Sequence, residues 1–201
     1  MAVNRKELKA KAKTQIKGNI GKFFGLTFVL GLILSVSAIT FVGPVILAGP
    51  LALGLVLFTL EVVRTGKGNF STGFNGFKQF GAAFVAFLLM SLFTSLWALL
   101  LIFPAYIAIL RYSMTFYIIA DDPSISGAAA IKKSKEMMKG HKWDLFVLLL
   151  SFFGWYLLGV ITFGLIYIYV APYVEATVAN FYETIKAEKI EAPAATPATE
   201  N

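Results

Sequence analysis

Two ionisable side chains, Arg111 and Glu175, interrupt the apolar stretches of this 201-residue chain. Arg111 lies ten residues before Asp121, and Glu175 eight before Glu183. On a helix rising about 1.5 Å per residue, those offsets set them about 15 and 12 Å deep in apolar sequence. An ionised group at such a depth in lipid costs at least about 2.5–3.5 kcal/mol, so it must face a partner or an aqueous cavity. Opposite charges at like depth predict an Arg111–Glu175 ion pair or shared polar site. Such a site could bind a lipid phosphate or an ion; the plainer alternative is a buried pair that sets helix register.

Other chemistry is sparse. There is no cysteine, which excludes thiolate catalysis and disulfides. His141 is the only histidine and is expected as an exposed loop residue, because no second ligand stands at metal-binding spacing. Neither a Gly-x-Ser-x-Gly elbow nor a phosphate-binding glycine loop occurs. Asp121 and Asp122 could hold a cation, but capping of the following helix by Ser124 or Ser126 explains them more simply. Glu61 and Arg64, spaced i, i+3, can pair with each other. Tyr106, Tyr112, Tyr117, Tyr167, Tyr169 and Tyr173 could line a cavity, or simply pack. These absences predict a protein that is not an enzyme and uses no cofactor and no metal.

The remaining candidates are basic. Net charge is +7, and the lysines and arginines gather in a few segments. Lys9, Lys13, Lys17, Lys22, Lys78, Lys132, Lys133, Lys135, Lys139 and Lys142 are expected to contact anionic lipid headgroups, at about 1 kcal/mol for each residue near the surface. The excess of Lys and Arg puts these segments, and both termini, on the cytoplasmic side. That placement accounts for the basic balance without nucleic acid.

The elements that position these residues follow from three uncharged runs: 38 residues between Lys22 and Glu61, 32 between Lys78 and Arg111, and 30 between Asp144 and Glu175. One crossing of a bilayer needs about 20 apolar residues, so each run, with its flanks, is long enough for two. The expected fold is an all-α integral membrane protein with six transmembrane helices in three helical hairpins. A single membrane domain spans residues 1–186. Within it, 1–20 is a basic amphipathic lead-in with Leu8, Ala12 and Ile16 on its apolar stripe. Hairpin 1 covers 21–63 and turns at Gly43-Pro44; hairpin 2 covers 80–120 and turns near Phe103-Pro104; hairpin 3 covers 143–185 and turns near Thr162–Gly164. A basic interfacial helix fills 124–140, and the segment 64–79 is expected as a loop with a short interfacial helix of phenylalanines. The tail, 187–201, is Ala-, Pro- and Glu-rich and is expected to be disordered. The start could instead be a secretory signal cleaved after Ala38, but the apolar run continues past that point. A loose threefold repeat is a further expectation. Hydrophobic residues make up 58% of the chain and charged residues 14%, whereas a soluble domain is about 25% charged.

Asn4–Lys9, the stretch Ala128–Gly140, Trp143–Phe146, Ser151–Trp155, Pro172-Tyr173 and Phe181-Tyr182 together resemble an uncharacterised integral membrane family, a domain of unknown function found mostly in Gram-positive bacteria. More distantly, the basic helix followed by an aromatic-rich span is similar to the membrane domain of bacterial glycerophosphodiester phosphodiesterases. The resemblance implies a multi-span protein of the bacterial plasma membrane and supplies no catalytic residue. The function expected is non-enzymatic: binding of membrane lipid or membrane-active peptide in envelope homeostasis or self-protection, with an unidentified protein partner also open. A small transporter or permease subunit is the alternative, and an intramembrane enzyme a second one.

Overall fold

The computed structural model describes residues 4–40, 42–100 and 102–191, with side chains described outside 97–105 and 190–191. Every regular element among them is helical. In chain order these are α1 (Arg5–Ile16), α2 (Ile20–Ser37), α3 (Gly43–Thr65), a 3₁₀ helix (Phe70–Gln79), α4 (Phe80–Leu100), α5 (Ile102–Tyr112), α6 (Thr115–Asp121), α7 (Gly127–Met137), α8 (Lys142–Leu150), α9 (Phe153–Ile161) and α10 (Tyr167–Glu191). Four stretches are long and apolar enough to cross a membrane: Ile20–Ser37, Gly43–Thr65, Phe70–Leu96 and Lys142–Ile161. Among the described residues, the other two expected crossings do not qualify: α5 and α6 are short helices, and α10, though 25 residues long, carries several tyrosines and, from Glu175 onward, charges.

α3 is the central helix. Leu53, Phe58, Thr59, Leu60 and Val62 are all buried, and α2, α4, α6, α10 and the 3₁₀ helix pack around it. The outer surface is apolar: Phe28 and Leu32 on α2, Leu92 and Leu96 on α4, and Val160 and Ile161 on α9 are exposed. The turn residues Ile39 and Phe163 are 84% and 97% exposed. Exposed apolar surface on this scale marks a membrane or partner face.

Three elements differ from expectation. The lead-in is not a free surface helix. α1 docks along α10, burying Leu8, Ala12 and Ile16, while Gln15 donates to the Val63 carbonyl at 2.8 Å and Asn180 donates to Gln15. The segment expected as a loop with a short interfacial helix of phenylalanines does hold a helix, but it is a ten-residue 3₁₀ helix seated against the middle of α3. At three residues per turn, Gly73 and Gly76 fall on one line and let backbone meet backbone. A methyl group on Gly54 would overlap the Gly73 carbonyl, and one on Gly76 the Pro50 carbonyl. Finally, α10 continues to Glu191, past the expected boundary at 186; residues 192–201 lie outside the described residues.

Two helices break in mid-course. At Ser113-Met114, between α5 and α6, Ser113 donates to Leu110 O and Thr115 to Tyr112 O. At Ser151-Phe152, between α8 and α9, Ser151 donates to Leu148 O. Hydroxyls here take carbonyls that a continuous ladder would have satisfied.

Candidate functional site

The densest chemistry lies where the ends of α3 and α6 meet the C-terminal part of α10. Arg64 closes the last turn of α3, Asp121 ends α6, and Tyr182, Glu183 and Lys186 lie close together on α10. Arg64 reaches Asp121 Oδ1 through Nη2 at 2.6 Å and Glu183 Oε1 through Nε and Nη2 at 2.8 and 2.6 Å. Tyr182 donates its hydroxyl to Asp121 Oδ2 at 2.8 Å, and Lys186 pairs with the same oxygen. Tyr182 also stacks on Tyr117, with ring centroids 5.1 Å apart. Burial pushes the Asp121 carboxyl up, but the hydrogen bonds from Lys186, Arg64 and Tyr182 outweigh it, and the group lies below the usual carboxylate range. Asp122 accepts from Ser124 N and Oγ at 3.1 and 2.6 Å. Ser126 rather than Ser124 caps α7, accepting from Ala129 N.

The expected Arg111–Glu175 pair does not form. Arg111 lies in the last turn of α5 and makes no ion pair among the described residues; its backbone carbonyl accepts from Ser134 of α7 at 2.9 Å. Glu175, on α10, is half-buried and likewise unpaired among the described residues. Tyr117 and Tyr156, not Arg111, lie within reach of its charge. α5 packs chiefly on α4, α10 chiefly on α1 and α3, and the two helices share only the neighbours α7 and α8. The Glu61–Arg64 pair is also absent. Glu61 accepts the Asn69 backbone N–H at 3.0 Å, and Arg64 is taken by Asp121 and Glu183.

The lysines divide into two groups. Lys9 donates to the Ser151 carbonyl at 3.1 Å and lies 4.1 Å from the Phe152 ring centroid, so it fills the break between α8 and α9 instead of reaching for lipid. Burial there lowers its ammonium pKa. Lys22 donates to the Gly68 carbonyl at 2.9 Å, and Lys135 lies 5.4 Å from the rings of Phe93 and of Tyr112. These cations are held by the protein. Lys13, Lys17, Lys78, Lys132, Lys133 and Lys139 are exposed, Lys142 is half-buried, and none of them forms an ion pair among the described residues. His141 is not an exposed loop residue: its side chain is 13% exposed, with Asp144 at 3.6 Å and Glu188 at 3.8 Å.

No group of three or more His, Cys, Asp or Glu side chains that could hold a metal occurs among the described residues. The Arg64–Asp121–Tyr182–Glu183–Lys186 network was missed at the sequence level because its members come from three distant segments. The one local signal was charge: Arg64, Asp121 and Glu183 all stand at the ends of apolar runs.

Residues 1–111 and 100–189 match the model of a family described as "Protein of unknown function (DUF975)". No curated protein and no solved structure matches the chain.

Proposed function

The chain belongs to that family of unknown function, and from this premise we propose that it is a non-enzymatic, multi-span membrane protein that binds anionic lipid. The carrying observation is the contrast between two sets of side chains. Arg64, Asp121, Glu183 and Lys186 satisfy one another, while Lys13, Lys17, Lys78, Lys132, Lys133 and Lys139 are exposed with no carboxylate among the described residues. Ammonium groups flanking an apolar surface match an anionic headgroup layer.

In this reading the chain spans a bacterial plasma membrane six times as three hairpins, with both termini in the cytoplasm. The lengths of the uncharged runs and the gathering of Lys and Arg into a few segments support that setting. Lipid or membrane-active peptide is the ligand, in envelope homeostasis or self-protection, and nucleic acid is not a partner. The test is the lipid that leaves the membrane with the protein. Native mass spectrometry after gentle extraction should show anionic phospholipid enriched over its share in the membrane; retained lipid matching bulk composition would sink the reading.

Transport is the second reading, favoured by the paired breaks at Ser113-Met114 and Ser151-Phe152. Interrupted helices form the substrate sites of many transporters. Proteoliposomes that move no solute across the bilayer would exclude it.

A further inference from the structure

A cavity of about 310 Å³ opens beside the charged network, between α6, α7 and α10. Asp121, Asp122, Lys133, Lys186 and Lys189 form its polar wall, and Ile118 and Met137 an apolar one. Both carboxylates are already engaged: Asp121 by Arg64, Lys186 and Tyr182, and Asp122 by Ser124. Lys133 and Lys189, both exposed, make no ion pair among the described residues. Lys133 is near enough to Asp122 for their charges to interact, without contact. Within the lining itself, three ammoniums (Lys133, Lys186, Lys189) face two carboxylates (Asp121, Asp122). The lining carries one cation more than it has carboxylates, and Lys133 and Lys189 have no ion-pair acceptor among the described residues.

We propose that this cavity holds the phosphate of an anionic glycerophospholipid headgroup, with Lys133 and Lys189 donating to its non-bridging oxygens. This deepens the lipid-binding reading and rests on it. The phosphate supplies the missing charge and accepts from both ammoniums. Ile118 and Met137 suit the glycerol and the first methylenes of the acyl chains. A zwitterionic headgroup fits worse, because its own cation would meet the lysines.

The experiment uses the full chain in nanodiscs of equal phosphatidylglycerol and phosphatidylcholine, with retained lipid read by native mass spectrometry. Wild type should keep phosphatidylglycerol in preference to phosphatidylcholine. Lys133→Gln with Lys189→Gln should reduce that preference about 30-fold, from about 1 kcal/mol per lysine. Lys133→Arg with Lys189→Arg should restore it, which separates loss of binding from loss of fold. Lys67→Gln, outside the cavity and outside the exposed lysines assigned to the headgroup layer, should leave it unchanged. If the cavity variant keeps the wild-type preference while Lys13→Gln with Lys17→Gln loses it, the cavity assignment fails and lipid binding stands. No preference in wild type overturns both. If inorganic phosphate slows acylation of Lys133 and Lys189 while phosphatidylglycerol does not, the ligand is a soluble phosphate and the lipid assignment is overturned.

Discussion

Asp121 is the residue on which the charged network turns, since three side chains from two other helices converge on its two oxygens. Replacing it with Asn removes two charge-assisted contacts and leaves Lys186 without its carboxylate. The expected cost is about 1–2 kcal/mol, reduced by partial exposure, and read as a lower melting temperature in detergent. The pH dependence has a defined sign. The folded pKa of Asp121 lies below its unfolded value, so its contribution is fully present above that unfolded value, about 3.9. It fades as pH falls from there through the folded pKa. The gap between wild type and Asp121→Asn should therefore be constant near neutrality and shrink below about pH 4. Arg111 and Glu175 give a contrasting case. Residues without a shared contact have additive effects, so Arg111→Leu and Glu175→Gln should sum to the double variant within about 0.5 kcal/mol. Coupling above that would restore the direct pair.

At the scale of elements, the contact between the 3₁₀ helix and α3 depends on missing side chains. Gly54→Ala or Gly76→Ala forces the two backbones apart and should cost about 1–3 kcal/mol. Gly21→Ala and Gly81→Ala, which meet nothing within 4 Å, should be neutral or slightly stabilising by the same melting measurement. The glycines of 64–79 look like loop punctuation in a linear reading, because a glycine that permits a turn and one that permits close packing are written alike. The helix breaks were hidden for a similar reason. Ser113 and Ser151 are ordinary small polar residues until their hydroxyls are seen closing on carbonyls one turn back. Capping of α7 was easier to anticipate: Ser126 stands just before the helix and bonds as an N-cap does.

For the whole molecule, the proposed six-span arrangement predicts which side of the membrane each segment faces. The absence of cysteine makes single-thiol variants clean probes. Thiols placed at Ile39, Pro104 or Phe163 should be labelled from outside intact cells, and one at Lys139 only after the membrane is opened. Protection of the first three from outside would overturn the three-hairpin arrangement. The docking of α1 along α10 adds a consequence for assembly. α1 rests on α10, so this contact forms only once α10 has been made.

The sequence by itself determined the helical class, the apolar surface and the gathering of charge into a few segments, because hydrophobicity, its run lengths and the positions of ionisable residues are local properties. Only the tertiary structure decided which charges meet. Arg64 found Asp121 and Glu183 while Arg111 and Glu175 stayed apart, and Lys9 turned inward to a broken helix. Pairing depends on the angle and register at which distant helices pack, and those are set by glycine contacts and backbone breaks that carry no charge or periodicity to announce them.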